Sequence, residues 1–239
     1  MDPVEIMDHL ENCYDAMVPA FEKTDRSFVW ISHFPHPFFN SVMRLTCQED
    51  VGVEVDRLIA QVPPGIPFSF WVHAQNRAEG LIEVLLERNF VFGIVCPVMT
   101  WAVKPVVQPQ FEVRSANMEI FHEISAVTSE FDEILKKAFE KLIGNIDCEN
   151  YLVYSGDKAV GTGILFPNGQ IGGIFNISTL PEYQKKGYGK AMMLFLMNRA
   201  LESRLKHLVL LSSPVAAKLY SDLGFKKAFD VEIFFQTHK

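Results

Sequence analysis

The chain has 239 residues, 49% hydrophobic and 21% charged, with a net charge of −7. That composition suits one large or two small globular domains with a real core, and it excludes a broad basic footprint for nucleic acid. No run of about 18 apolar residues offers a membrane span, and the acidic start MDPVEIMDHLENCYDAM is not a signal peptide, so a cytoplasmic protein is expected.

In chain order, EIMDHLENCYDAM reads as a helix, SFVWISHF and SVMRLT as strands, and VEVDRLIAQV as a second helix. PFSFWVH (67–73) is an expected strand, RAEGLIEVLLERNF (77–90) a helix, and VCPVMTWAV a strand. VKPVVQPQ (103–110) has two prolines and no helical period, so it marks a linker or domain edge. Two domains are expected to meet there, residues 1–106 and 111–239.

The second domain opens with FEVRSAN (111–117), which alternates as a strand does. Residues 118–143 carry helical spacing in two runs, with Gly144 as a stop. NYLVYS, KAVGTGILF and QIGGIFNIST follow as strands, joined by the hairpin signals SGDK and PNGQ. A helix runs from about Gly187 to Arg204, HLVLLSS (207–213) is a buried strand, AAKLYSDLGF (216–225) a short helix ended by Gly224, and KKAFDVEIFFQ a last strand. The order strand, helix, Asn89-Phe90 in the first half matches strand, helix, Gly224-Phe225 in the second. Two related folds in tandem are therefore expected.

Cys13, Cys47, Cys96 and Cys148 stand far apart with no C-x-x-C pair, so reduced and mostly buried thiols are expected. His33 and His36 in HFPHPF are spaced like metal ligands but have no carboxylate or cysteine close by, and no metal is expected.

The stretch STLPEYQKKGYGKAMMLF (178–195) sets basic residues and two glycines at the mouth of an apolar helix. A helix start exposes about four unpaired N–H groups and roughly half a positive charge. Glycines let an anion approach that backbone closely, so QKKGYGK reads as a pyrophosphate cradle. It is not a P-loop, because Gln184 replaces the first glycine and Ala191 the Ser/Thr; it is not a dinucleotide fingerprint, because Met192 replaces the third glycine.

Gln184-Lys185-Lys186-Gly187-Tyr188-Gly189 between a strand and a helix resembles the Q-x-x-G-x-G motif of the GNAT N-acetyltransferase superfamily. Leu219-Tyr220-Ser221-Asp222-Leu223-Gly224-Phe225 resembles the family's L-Y-x-x-x-G-F, and the resemblance covers residues 111–239. It implies an α/β (α+β) fold with a mixed, mostly antiparallel sheet flanked by helices. The cofactor it implies is acetyl-CoA, held by backbone around Ile177, Ser178 and Thr179 and by Gln184, Lys185, Lys186, Gly187, Tyr188, Gly189 and Lys190. Ser213 stands where the family often has Asn, and Tyr220 at the position of the general acid. The implied activity is acetyl transfer to an amine of a small molecule, amino acid or peptide, by a monomer or homodimer; a non-catalytic acyl-CoA sensor is the alternative. Gly173 occupies the place of the strand glutamate that serves some members as base. That leaves a water relay, or Glu119, His122 or Glu123. The first domain has Leu85 where Tyr220 would fall and no Q-x-x-G-x-G, so it is expected to be a non-catalytic half.

Overall fold

A computed structural model of the chain describes residues 1–47, 50–73 and 78–237. Helix α1 (Pro3–Met17) starts on Asp2, whose carboxylate accepts the Val4 N–H at 2.9 Å. The hairpin β1 (Glu22–Lys23) and β2 (Ser27–Ile31) follows, then β3 (Asn40–Leu45), α2 (Val51–Gln61) and β4 (Ser69–Val72). Helix α3 (Leu81–Glu87) is shorter than its periodicity predicts. Left-handed Gly80 (φ 74°) delays its start and left-handed Asn89 (φ 62°) ends it; Arg77 lies outside the described residues.

Strand β5 (Phe90–Ala102) begins five residues before the predicted VCPVMTWAV (95–103), taking in Phe90 from the end of the predicted helix. A Cβ on Gly93 would stand 2.1 Å from the Phe235 ring, so the glycine makes room for that ring. Pro97 donates nothing, yet its carbonyl accepts the Ser212 N–H at 2.9 Å.

The remaining elements follow the predicted order: β6 (Val113–Ser115), α4 (Met118–Thr128), α5 (Glu133–Gly144), β7 (Glu149–Ser155), β8 (Lys158–Asn168), β9 (Ile171–Thr179), α6 (Tyr188–Glu202), β10 (His207–Leu211), α7 (Ala217–Asp222) and β11 (Lys226–Gln236). Gly156 and Gly169, both left-handed, make the two predicted hairpin turns. Residues 103–109 carry no helix or strand.

The chain forms two compact units. One comprises Met1–Val98, Ser212–Val215 and Lys227–Lys239; the other comprises Met99–Leu211 and Ala216–Lys226. In the first, the strand order is β1-β2-β3-β4-β11, antiparallel except for β3 against β4. Strand β2 is buried along its whole length instead of alternating. Its Trp30 meets Tyr14 of α1 edge-on at 4.9 Å, while Val29 and Ile31 join Val55 and Leu58 of α2 and Leu81 and Leu85 of α3. Successive strand side chains face opposite sides, so helices cover both faces.

In the second unit the order is β10-β9-β8-β7-β6, antiparallel except for β9 against β10. Thr162 of β8 meets a network that reaches Ser125 of α4, whereas the next residue, Gly163, faces Met192 of α6. By the same alternation α4 and α6 lie on opposite faces of this sheet. Arg199 of α6 also forks onto Glu149 of β7 at 2.7 and 3.0 Å, a part-exposed pair contributing under about 1 kcal/mol.

Tightness in this unit is uneven along the chain. A Cβ on Gly161 would stand 2.4 Å from the Ser178 carbonyl oxygen, while one on Gly144 would meet nothing within 4 Å. Gly161→Ala is therefore expected to lower stability by about 1–3 kcal/mol in denaturant unfolding. Gly144→Ala in the same assay is expected to be neutral or mildly stabilising.

Candidate functional site

The site grows from the way β9 leaves its neighbours. Parallel pairing of β9 with β10 covers only Ile171 to Gly173, opposite His207 to Val209. Beyond Gly173 the edge of β9 that faced β10 has no ladder partner from that strand, although β9 continues to Thr179. On its other edge β9 stays paired with β8, but the register slips between Thr162 and Ile164. Asn176 sits at the slip with φ 50°, a left-handed conformation that asparagine tolerates better than most residues.

The chain then turns through Pro181–Tyr183 into the loop before α6. Lys185 (φ 58°) and Gly187 (φ 96°) are both left-handed. Such residues curl a loop so that its amides gather in a concavity suited to anions. Gly187 caps α6 without any side-chain hydrogen bond. The first intrahelical donor at this end is Ala191, to Gly187 oxygen at 2.9 Å. The N–H groups of Tyr188, Gly189 and Lys190 therefore have no helical acceptor, and they carry the positive end of the helix dipole.

Of the residues read from the sequence, the loop members do different things. Lys185 and Lys190 are exposed. The Lys186 ammonium is engaged: it donates to the Glu182 carbonyl at 2.8 Å and stands over the Tyr183 ring. Gln184 donates to the Thr179 carbonyl at 3.2 Å, which ties the loop to the end of β9. Tyr188 turns its side chain into the core, where its hydroxyl meets Ser155 at 2.7 Å and its ring stacks on Phe111 at 4.1 Å. What Tyr188 offers a ligand is its backbone amide. Ser178 points its hydroxyl at Thr162 (2.6 Å), away from any ligand edge.

Gly189 is where three elements meet. A Cβ built there would touch Leu219 of α7 at 3.7 Å and Thr179 of β9 at 3.8 Å, both ordinary contacts. Helix α7 thereby brings Tyr220 to the neighbourhood of the loop. Tyr220 is 6% exposed, packs on Phe225 with ring centroids 6.1 Å apart, and its hydroxyl makes no hydrogen bond among the described residues. Burial pushes its pKa up to about 12. Phe225 in turn stacks on Trp101. Ser213 is exposed and falls in the first compact unit.

The three residues considered as bases divide as well. Glu119 and Glu123 are exposed on α4, while His122 turns into the packing between α4 and α5, its ring edge-on to Phe139 at 6.2 Å. Burial lowers its pKa, and its Nδ1 has no partner among the described residues. The four cysteines are free, with Cys13 and Cys96 buried. Among the described residues no group of His, Cys, Asp and Glu is placed to hold a metal ion, and no helix is long and apolar enough to cross a membrane.

Sequence reading missed Ser125 and Thr162, the partners that hold the bend of β9. The one local signal was an asparagine inside an otherwise strand-forming run, IFNIST.

Comparison with known proteins agrees with this geometry. The family model of the acetyltransferase (GNAT) family matches residues 113–225. A GCN5-related N-acetyltransferase from Kribbella flavida superposes with a TM-score of 0.68 at 14% identity, covering 98% of this chain and 96% of that one. A second, from Sphaerobacter thermophilus, gives 0.63 at 10% identity, with coverage of 88% and 75%. A conserved protein of unknown function from Staphylococcus epidermidis gives 0.65 at 14%, with coverage of 92% and 94%. No curated protein matched. Residues 113–225 match the GNAT acetyltransferase family model, and the chain's mixed, mostly antiparallel fold is that of these structures. Acetyl-CoA is the acetyl donor of that family.

The two loop glycines have separable roles. Gly187→Ala is expected to destabilise, because its φ of 96° strains any side chain. Gly189→Ala, lying in the first turn of α6 with room for a methyl group, is expected to hold or raise the thermal midpoint.

Proposed function

We propose that the protein is an acetyl-CoA-dependent N-acetyltransferase that moves an acetyl group to an amine of a small molecule, amino acid or peptide by direct attack. One observation carries this reading: the edge of β9 that β10 leaves beyond Gly173 leads through one short loop, residues 180–187, to an α6 start that no side chain caps. A strand edge without a partner suits an amide-bearing arm added like another strand, and an uncapped helix start suits a pyrophosphate. The residues present fit the cofactor on both counts. Acetyl-CoA supplies an acetyl group activated as a thioester.

The backbone of Ile177 and Thr179 would hold the pantetheine arm. The amides from Lys185 to Lys190 would hold the pyrophosphate, with the Lys185 and Lys190 ammonium groups adding charge. Tyr220, whose hydroxyl makes no hydrogen bond among the described residues, would hold a proton for the departing sulfur. No carboxylate stands on β9, so removal of the amine's proton falls to water or to the exposed carboxylates of α4. The reading has the chain work on an amine, away from nucleic acid and membrane, as a cytoplasmic monomer or homodimer; the net charge of −7 supports the first part.

The first half fits a degenerate GNAT-like partner. Its order β1-β2-β3-α2-β4-α3-β5 repeats β7-β8-β9-α6-β10-α7-β11, including one parallel pair and a left-handed residue before the last strand. Its helix start is already satisfied, however: the Asp50 carboxylate accepts from the Gly52 and Val53 amides at 2.8 and 3.3 Å. A carboxylate there repels phosphate. Leu85, fully buried, stands where the second half has Tyr220.

The same site favours a second reading on one ground. A phenol whose pKa is raised to about 12 releases its proton reluctantly, and with no carboxylate on β9 the chain resembles a non-catalytic acyl-CoA sensor. Turnover of acetyl-CoA with an amine panel separates the two.

Calorimetric titration with acetyl-CoA tests the cofactor reading. Micromolar binding to the wild type and its loss in Gly189→Glu are the expected results; no binding to the wild type would defeat it. Tyr220→Phe is expected to lower kcat by about 100-fold or more while leaving acetyl-CoA affinity unchanged. Because burial keeps Tyr220 protonated through the alkaline range, the wild-type rate should climb with pH as the amine loses its proton, without a falling limb below about pH 10.

A further inference from the structure

The bend in β9 is held by a chain of four polar side chains. The Asn176 amide donates to Ser125 Oγ on α4 at 2.7 Å. Thr162 Oγ1 donates to the Asn176 carbonyl at 2.9 Å and lies 2.6 Å from Ser178 Oγ. A hydroxyl has one proton, so Thr162 spends its own on the carbonyl and Ser178 must donate to Thr162. Ser125 and Thr162 are both fully buried. Around this network β8 carries glycines: a Cβ on Gly161 would meet the Ser178 carbonyl oxygen at 2.4 Å, and one on Gly163 would meet Met192 at 2.7 Å and Ile177 at 3.1 Å. Two glycines let β9 press close, and the polar chain fixes where it bulges.

We propose that Asn176 is a positioning residue for the cofactor arm. Its link through Ser125 to α4 and through Thr162 to Ser178 sets the bulge that aims the free edge at Ile177 and Thr179, and so the strand-like seat of the pantetheine. Without the Asn176 side chain, β9 keeps its sequence and its glycines but loses the anchor that holds one side of the bulge to α4. The loop from Lys185 to Lys190 lies beyond the bend and does not depend on that anchor. Nucleotide binding and pantetheine binding are therefore separable in this protein. The inference rests on the acetyl-CoA reading above.

The test uses two ligands on the full chain: acetyl-CoA, and 3′-phospho-ADP, which is the nucleotide half of CoA without its pantetheine arm. Two variants remove the anchor from opposite ends. Ser125→Ala leaves β9 untouched, and Asn176→Gly keeps the freedom to adopt φ 50° while deleting the amide. Each is expected to weaken acetyl-CoA about three- to tenfold, the worth of one hydrogen bond, and to leave 3′-phospho-ADP affinity as in the wild type. A merely structural role would move both ligands together or neither. Unchanged acetyl-CoA affinity in both variants overturns the proposal, and so does equal loss of both ligands. A wild type that binds neither ligand overturns the cofactor reading itself and this inference with it, so the two failures are told apart.

Discussion

A parallel strand pair that ends after three residues is the constraint on which the site depends. Two parallel strands ordinarily stay in register for as long as both continue. Here β9 carries on for six residues past Gly173, and it does so because its other edge slips at Thr162 and Ile164. The slip requires a left-handed residue, which Asn176 supplies, and close backbone approach, which Gly161 and Gly163 supply. The β9 edge left by β10 and the amides at the start of α6 are then joined by one short loop, residues 180–187. Together they describe a seat for a ligand that has both amides and phosphates.

The two halves show how little has to change for such a seat to vanish. Both place a helix between two parallel strands, and both end with a short helix, a left-handed residue and a long strand. In the first half a carboxylate side chain, Asp50, occupies the helix-start amides; in the second a glycine, Gly187, leaves them open. The helix dipole is satisfied in one case by the protein's own carboxylate and in the other awaits an anion from outside. Leu85 and Tyr220 make the corresponding contrast on the short helices: both are buried, but only one brings a hydroxyl.

The chemistry available is correspondingly lean. Tyr220 keeps its proton because burial disfavours the phenolate, and among the described residues its hydroxyl is not committed to another side chain. Burial thus suits it to the proton-donor role proposed above. Carboxylates are present on α4 but face solvent, and His122 is used for packing against α5. Under the proposed reading the protein would contribute orientation and one proton, with the reactivity residing in the thioester of the proposed cofactor.

The order of elements from β6 to β11, both hairpin turns and the helix-start loop were legible in the residues, because each depends on local chemistry: alternation, helical period, and glycine where φ is positive. The tertiary structure decided the rest. Strand β5 starts at Phe90, ahead of the predicted VCPVMTWAV, with Phe235, distant in sequence, filling the space beside Gly93 and the Ser212 amide meeting the Pro97 carbonyl. Lys186, Gln184 and Tyr188 look like ligands by motif, yet their side chains are spent on Glu182, Thr179 and Ser155. Asn176 looks like a stray polar residue in a strand until Ser125, 51 positions earlier, is seen to hold it. Local sequence can specify what a backbone segment is able to do. Which side chains remain free to meet a ligand depends on partners that only folding brings within hydrogen-bonding distance.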